Sequence, residues 1–445
     1  MSNSDVSVSE MLKAIGVSSV WELYSDIPDR YILPEPPSLE GPLSEQELVH
    51  HFRRILGRNR MGLKLFLGGG VWPHYVPAVV REIISRSEFL TSYTPYQPEV
   101  SQGVLTALFE YQSMAAELYG VDVVNSSMYD WATALGEAIL MAHRYNGGSR
   151  VLVSRYSSPH RLEVAKTYSE PLGLTLHEVP VNRRGLIDEE ALKTMLGKDV
   201  TAVYLENPSY LGSIMANVGA VSEIVHDAGA LLIVGAEPTS LGLLTPPGDY
   251  GADIVVGEGQ PLGLPMSFGG PLMGILGCRM DRRLLHVMPG RLVGMTETVR
   301  GGVRAFTMIL RAREQDIRRH RATSNICTNQ ALCAIAAAAY LATLGRGGMR
   351  SLAQHILSKT AYMIEELTKL DDVEAPLINS PHYMEFTYSV RGVDSSSVLE
   401  KLLANGIVGG LRIGGSFPEL GDGILTCVTE VHSVEDIREY VGILR

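Results

Sequence analysis

The sequence predicts an α/β fold in which a mostly parallel, seven-stranded sheet forms a large domain and a smaller α+β domain follows it. The first observation is a series of short runs rich in β-branched and other apolar residues. These runs are Val121 to Asn125, Arg150 to Val153, Leu174 to Val179, Val200 to Leu205, Ala230 to Val234, Asp253 to Val256 and Pro271 to Gly277. The second observation is their spacing, because the first five runs are separated by stretches long enough for a helix.

The four intervening stretches predict helices that cross between parallel strands. They are Trp131 to Arg144, His160 to Pro171, Asp188 to Leu196 and Asn217 to Asp227. The last two connections contain too few helix-forming residues for such crossovers, so at least one late strand is expected to pair antiparallel. Seven strands in this order resemble the large domain of the fold-type-I pyridoxal-phosphate-dependent transferases, and residues 63–320 are assigned to that domain.

The regions around this domain are less regular. Residues 1–62 predict a helical and extended segment, with a mixed amphipathic helix from Met11 to Tyr24 and a proline-rich extended linker from Pro34 to Pro42. A long helix is predicted from Val303 to Arg319.

Residues 321–445 predict a linking helix and a small α+β domain. The apolar run from Ala331 to Leu344 is shorter than the ~20 residues that span a bilayer and therefore predicts a buried helix. After about Gly347, helices alternate with weak strands at Tyr383 to Tyr388 and Ile424 to Val428.

Composition limits the possible partners. Of the 445 residues, 45% are hydrophobic and 20% are charged, which is sufficient for a large buried core. The formal net charge is −11 and there is no basic run, so nucleic acid is not an expected partner. No export signal or membrane span is expected. The four cysteines form no Cys-x-x-Cys pair and are expected to be buried thiols in a reducing cytoplasm, with no metal site.

The loop after the sixth predicted strand is the most informative one. From Asp253 to Pro271 the chain has the frame of the loop that carries the lysine of a pyridoxal-phosphate enzyme, but it contains no lysine. The amine of that lysine forms the Schiff base with the cofactor, and Gln260 has no such amine. An acid that pairs with the pyridinium nitrogen is expected directly after the fifth strand. The chain has Gly235 there, and the nearest acid is Glu237.

Other strand ends carry polar residues that have two interpretations. The turn from Ser126 to Gly136 is suited to a phosphate, or to a helix cap formed by Asp130 or Thr133. His160 is placed for stacking on a ring, or for a structural role. The loop from Glu206 to Tyr210 is suited to hydrogen bonds with a cofactor ring, or to an ordinary Asn-Pro turn.

A second group of candidate residues lies in a proline-stiffened loop before the sheet. Tyr93, Thr94, Tyr96 and Gln97 form its polar tip. Such a tip is typical of contact with a ligand or a partner, although tyrosines in proline-rich loops also serve as packing anchors.

Three long segments together resemble one family. The segments Ser85 to Gly103, Gly257 to Pro265 with the following Gly269-Gly270-Pro271, and Gly409 to Gly415 closely resemble subunit 1 of the two-chain glycine dehydrogenase (decarboxylating), in the P-protein family of the glycine cleavage system. The likeness extends nearly from end to end. It implies that Gln260 takes the lysine position, Gly235 the position of the pyridinium acid and His160 that of the ring-stacking histidine, as vestiges of a cofactor site.

The resemblance also implies a function. Pyridoxal phosphate is carried by a homologous subunit 2 and not by this chain, and the two chains form an α2β2 assembly. Together they decarboxylate glycine and transfer its aminomethyl group to the lipoyl arm of the H-protein. This chain alone is expected to be inactive, and no catalytic residue is expected within it. Tyr93, Thr94, Tyr96 and Gln97 are expected to line the active site of the partner.

Two alternatives remain at this stage. One is a structural or regulatory partner that stabilises the second chain without lining its site. The other is an autonomous pyridoxal-phosphate-dependent lyase or transaminase, which would require a displaced lysine and an acid from elsewhere in the chain.

Overall fold

The computed structural model describes residues 5–35, 37–324, 326 and 328–445. The chain divides into two compact units, Met1–Met61 and Gly62–Arg445. The predicted domain limits at residues 62 and 320 stay predictions.

The elements are numbered in chain order. The helices are α1 Asp5–Ile15, α2 Glu45–Leu56, α3 Ala78–Ser85, α4 Ser87–Leu90, α5 Gln102–Tyr119, α6 Trp131–Asn146, α7 Pro159–Ser169, α8 Glu189–Met195, α9 Val218–Asp227, α10 Arg282–Val287, α11 Gln315–Arg318, α12 Ala331–Thr368, α13 Ser395–Ala404 and α14 Val434–Leu444. The strands are β1 Lys64–Leu65, β2 Val123–Val124, β3 Arg150–Ser154, β4 Thr175–Val179, β5 Val200–Glu206, β6 Leu231–Gly235, β7 Ile254–Glu258, β8 Gly274–Cys278, β9 Leu292–Glu297, β10 Arg304–Ile309, β11 Val373–Glu374, β12 Glu385–Val390, β13 Ile407–Val408, β14 Leu411–Arg412 and β15 Ile424–Cys427.

The central sheet has the predicted seven strands in the order β2-β8-β7-β6-β5-β3-β4. Strands β7, β6, β5, β3 and β4 pair in parallel, whereas β8 pairs antiparallel with both β2 and β7. The expectation of an antiparallel late strand is therefore confirmed. The predicted crossover helices are observed as α6, α7, α8 and α9. Because β5, β6 and β7 are buried throughout, their sequences are nearly continuous apolar runs.

Helix α6 begins where the sequence predicts a cap. Asp130 Oδ1 accepts a hydrogen bond from the Thr133 backbone N–H at 2.7 Å, and the Thr133 hydroxyl lies 3.2 Å from the Asp130 backbone nitrogen. This reciprocal pair is a capping box, which satisfies backbone groups that the first turn leaves unbonded.

The helix predicted from Val303 to Arg319 is wrong. Arg304–Ile309 forms β10, which pairs antiparallel with β9 in a hairpin. The alternation of buried Phe306 and Met308 with more exposed neighbours follows the two-residue period of a strand. Leu310 then adopts a left-handed backbone conformation with φ +53°, which ends the strand.

The helix predicted from Met11 to Tyr24 is also wrong in its extent. Helix α1 ends at Ile15 because Gly16 has φ +87° and no further α-helical turn forms. Val20–Tyr24 forms a separate 3₁₀ turn.

The carboxy-terminal part contains the predicted long helix and small sheet. Helix α12 bends at Gly345 (φ +60°), so its first segment coincides with the apolar run from Ala331 to Leu344. Among the described residues, α12 alone is long and apolar enough to cross a membrane, but 56% of its most apolar window is buried, as in the core helix of a folded domain. The small sheet has the order β11-β12-β15-β14, and β12 begins two residues later than predicted.

The expectation of buried thiols is confirmed for the cysteines that the structure describes. Cys278, Cys333 and Cys427 are free and buried, whereas Cys327 lies outside the described part of the chain. Burial raises the pKa of the Cys278 thiol to about 12, so the nucleophilic thiolate is scarce at neutral pH.

Candidate functional site

The two positions expected to hold cofactor chemistry lie at the carboxyl ends of neighbouring strands. Gly235 ends β6, and Gln260 follows β7 by two residues. Gln260 is only 3% exposed. Its side-chain Nε2 donates to the Leu264 carbonyl at 2.6 Å, so the Gln260 amide links the two ends of the turn from residue 260 to residue 264. The structure thus brings these two predicted residues to one edge of the sheet.

Glu258 fixes the geometry around this edge. Its carboxylate accepts hydrogen bonds from the backbone N–H groups of Trp131, Gln260 and Met273 at 3.0–3.2 Å. Burial raises the pKa of Glu258 to about 7, and these donors act against that rise because they favour the charged form. Glu258 therefore ties the start of α6, the Gln260 loop and the start of β8 to one side chain.

The position of the missing pyridinium acid is filled by other side chains. A β carbon placed on Gly235 would lie 2.6 Å from Trp131 Cζ2 and 2.7 Å from the Tyr204 hydroxyl oxygen. Distances below about 3 Å force a backbone or side-chain shift, and overpacking of this kind destabilises a core. An aspartate at residue 235 consequently does not fit in this chain.

A buried cation stacks on the tryptophan that fills this space. The Arg161 guanidinium carbon lies 3.5 Å from the centroid of the Trp131 ring, and Arg161 Nη1 donates to Glu206 Oε2 at 2.8 Å. Both charged side chains are buried. Burial by itself disfavours the charged guanidinium, but the Glu206 carboxylate raises the pKa of Arg161 above its ordinary value. The result is a desolvated ion pair stacked on an aromatic ring.

Little space remains beside this pair. The adjoining cavity is lined mainly by Trp72, Trp131, Arg161, Glu206, Glu237 and Glu385. Its free volume is about 10 Å³, which is enough for about one water molecule. A pyridine ring with a phosphate group therefore does not fit, and the residues present do not match what pyridoxal phosphate requires.

Two further carboxyl groups at this cavity accept hydrogen bonds from backbone N–H groups of the same chain. Glu385 accepts from the Gly69 backbone N–H at 2.6 Å, and burial raises the pKa of this carboxyl to about 7. Glu237, the acid displaced from the position of Gly235, accepts from the backbone N–H groups of Thr239 and Ser240, both at 2.9 Å. Burial raises the pKa of Glu237 as well. Neither carboxyl replaces the missing acid at the end of β6.

His160 does not join Gly235 and Gln260. The structure places His160 on the exposed side of α7, while the next residue, Arg161, points into the core. The sequence interpretation missed Arg161 and Trp131 although each directly follows a residue that it considered. No local pattern marks Arg161, because its partner Glu206 is 45 residues away in the chain.

The polar turns are also bonded internally. In the Glu206 to Tyr210 loop, Asn207 Oδ1 accepts from the Met215 backbone N–H at 3.0 Å. In the turn before α6, Asn329 Nδ2 donates to the Ser127 hydroxyl at 2.9 Å, and the Ser126 hydroxyl donates to the Arg291 carbonyl. These bonds favour the structural interpretations of both segments.

The tyrosine loop has a different character because its tips are accessible. Tyr93 is 65% exposed and its hydroxyl lies 2.9 Å from the Thr328 hydroxyl. Tyr96 is 38% exposed, and its hydroxyl accepts from Arg291 Nη2 at 2.8 Å. Thr94 is half-buried and Gln97 is exposed.

Arginine side chains hold Tyr96 in place. The guanidinium carbons of Arg291 and Arg311 lie 4.9 and 5.3 Å from the centroid of the Tyr96 ring. Arg291 is itself paired with Glu314 at 2.6 Å, and both of these charged side chains are largely buried. The Tyr96 oxygen accepts a hydrogen bond from Arg291. The Tyr96 O–H therefore does not point at Arg291 and can donate to another group.

Comparison with known proteins identifies the family of the chain. The family model of the glycine cleavage system P-protein matches residues 1–444. The chain belongs to the glycine cleavage system P-protein family. The family resemblance inferred from the sequence motifs is thereby confirmed.

Similar chains are named as a subunit of glycine dehydrogenase. The probable glycine dehydrogenase (decarboxylating) subunit 1 of Staphylothermus marinus is 48% identical over 96% of this chain and 93% of its own length. The corresponding subunit 1 of Aeropyrum pernix is 49% identical over 98% of this chain and 96% of its own length. A subunit 1 implies a subunit 2.

Solved structures confirm the fold class. An inhibitor-bound glycine decarboxylase (P-protein) of the glycine cleavage system is 41% identical, with a TM-score of 0.88, and the match covers 100% of this chain and 98% of that one. A cysteine desulfurase from Thermococcus onnurineus is 17% identical, with a TM-score of 0.62 over 86% of this chain and 94% of that one, and shows the fold alone. This P-protein chain thus has the fold of the fold-type-I pyridoxal-phosphate enzymes.

Proposed function

We propose that this chain is the subunit of glycine decarboxylase that carries no pyridoxal phosphate. With a homologous, lysine-bearing subunit 2 it decarboxylates glycine and transfers the aminomethyl group to the lipoyl arm of the H-protein. An α2β2 assembly in the cytoplasm is part of the proposal. The observation that carries it is the cofactor position filled by Trp131 and Arg161, with Gln260 in place of the lysine.

The proposed roles of the two subunits follow from the functional groups that this chain lacks. Gln260 has no amine for a Schiff base, and Gly235 has neither an acid nor space for one. The cofactor supplies the electron sink for decarboxylation, and in this proposal it does so in the partner subunit. The chain has nevertheless kept the full fold of its relatives, which supports a role in the assembly.

The proposed contribution of this chain to the site is the tyrosine loop. Tyr93, Thr94, Tyr96 and Gln97 present accessible polar groups on a backbone stiffened by Pro95 and Pro98. Arg291 and Arg311 fix the orientation of the Tyr96 ring before any substrate binds, so little entropy is lost when its hydroxyl donates a hydrogen bond. A donor fixed in this way suits a carboxylate or a developing negative charge in the partner's pocket.

One observation favours a second candidate function. The Tyr93 and Tyr96 hydroxyls each already have a partner within the chain, Thr328 and Arg291 respectively. Such bonds also suit a loop that only packs against the second chain. In that case this subunit stabilises its partner without touching the substrate.

Activity assays on separate and mixed chains test the proposed function. We expect no glycine-dependent CO2 release from the isolated chain, and none from its Gln260→Lys variant, because the acid and the space at residue 235 are still missing. Mixing the wild-type chain with subunit 2 and lipoylated H-protein is expected to give full activity. CO2 release by the isolated wild-type chain would refute the proposal.

A further inference from the structure

The N-terminal arm, residues 1–61, has no core of its own. None of its described residues from 6 onward is buried. It carries eighteen of the thirty-eight large apolar side chains that are exposed in the described part of the chain. A segment this apolar is unusual on a free surface, where contiguous exposed patches mark interaction sites.

Helix α2 shows that the arm is nevertheless an ordered element. It begins at the N-cap Ser44, whose hydroxyl lies 2.7 Å from Glu47 Oε2, and the two residues form a capping box. Its apolar side consists of residues spaced along one face of the helix. These residues are Leu48, Val49, Phe52, Ile55 and Leu56, each 41–53% exposed. A stripe of this kind normally packs against a core.

The arm requires a covering surface for energetic reasons. A helix of about 12 residues is marginal in water by itself, because most helical stability in proteins comes from tertiary packing. Ordering each residue costs conformational entropy, and no buried side chain within the arm offsets that cost. An apolar surface from outside the arm must therefore supply the stabilisation.

The exposed aromatic side chains show how much apolar area the arm offers to another surface. Trp21, Tyr24, Tyr31 and Phe52 are 70%, 47%, 69% and 52% exposed. At roughly 150–250 Å² for each aromatic side chain, these fractions amount to about 500 Å². That is more than half of the roughly 800 Å² that one protein contributes to a stable interface. The arm therefore offers enough apolar area for specific association.

We propose that the N-terminal arm docks on the homologous subunit 2, with the apolar side of α2 packed against that chain. The inference rests on the proposed function, which gives this chain a permanent partner. Permanent interfaces are more apolar than transient ones, so a carrier protein that must dissociate is a poorer match for this surface. The rest of α2 combines Glu45 and Glu47 with Arg53 and Arg54, which does not suit an anionic lipid surface.

Charge substitutions on the two sides of α2 test the proposal. The variant Leu48→Glu with Phe52→Glu places two carboxylates on the apolar side. The matched control, Gln46→Glu with His50→Glu, places them with the same spacing on the opposite, polar side. All four residues are exposed, so neither variant is expected to unfold the chain.

Binding of full-length chains to subunit 2 is the readout. We expect the apolar-side variant to bind at least about tenfold more weakly, as for loss of an apolar anchor, and the control to bind like the wild type. Trypsin is expected to cut the arm of the isolated chain, at Arg30 for example, and to cut it more slowly in the complex.

Each other outcome has a distinct meaning. Equal binding by both variants would overturn the arm proposal, while failure of the wild-type chains to associate would overturn the proposed function instead. Loss of a homodimer of this chain in the apolar-side variant would identify a second copy as the occupant and contradict the proposal. Equal trypsin protection with and without subunit 2 would show that the arm folds on its own chain, and this would also contradict it.

Discussion

Arg161→Met is expected to lower the free energy of unfolding by about 3–5 kcal/mol, because it leaves Glu206 as an uncompensated buried charge. Arg161 Nη1 and Glu206 Oε2 are 2.8 Å apart, and Glu206 is only 1% exposed. The loss is measured by urea denaturation of the isolated chain, as a shift of the midpoint at an unchanged slope.

Two controls separate the ion pair from a general effect of removing an arginine. Arg86→Met breaks an exposed pair with Glu88 and is expected to leave the urea midpoint nearly unchanged, because solvent screens an exposed ion pair. Adding Glu206→Gln to Arg161→Met removes the unpaired charge but keeps an acceptor for the Tyr204 hydroxyl, so most of the stability is expected to return. If Arg161→Met costs no more than Arg86→Met, the stacked pair does not stabilise the filled cofactor position.

The second large effect concerns Tyr96 in the complex with subunit 2. Tyr96→Phe is expected to lower kcat for glycine decarboxylation by roughly 10²–10³-fold, as for the loss of one preorganised donor to a developing charge. The ring keeps its cation–π contacts with Arg291 and Arg311 and loses only the hydrogen bond from Arg291, so assembly is expected to change little. Tyr93→Phe tests the second hydroxyl of the loop in the same assay.

Tyr362→Phe is a matched control for this substitution. The Tyr362 hydroxyl also accepts from an arginine, Arg438 Nε at 2.9 Å, but it lies on α12 and outside the proposed site. Rates at the wild-type level for Tyr93→Phe and Tyr96→Phe in assembled complexes would mean that the loop only packs. The structural-partner function would then be the better account.

Much of the fold could be predicted because local patterns and tertiary structure agree there. Helix α6 follows an Asp-x-x-Thr cap, and the strands β5, β6 and β7 are continuous apolar runs bounded by polar turns. The helix predicted over β10 was wrong because the turn signal of Gly301-Gly302 was not weighed, and the conformation of Arg304–Ile309 is set by its pairing with β9.

The candidate site could be predicted only in part. The absence of a lysine at residue 260 and of an acid at residue 235 is visible in the sequence, since a missing functional group needs no structure to be recognised. The residues that fill the space could not be found in this way. Trp131, Arg161 and Glu206 meet only because α6, α7 and β5 converge at one edge of the sheet, and no local pattern encodes that contact.

The location of the cofactor in the assembled enzyme tests the central claim most directly. Borohydride reduction of the complex with subunit 2 fixes the pyridoxyl group on the lysine that holds it, and peptide mass spectrometry then identifies the labelled chain. Because this chain has no lysine at residue 260 and its cavity is filled, we expect the stoichiometric label to lie entirely on subunit 2. A stoichiometric pyridoxyl label on any lysine of this chain would contradict the account.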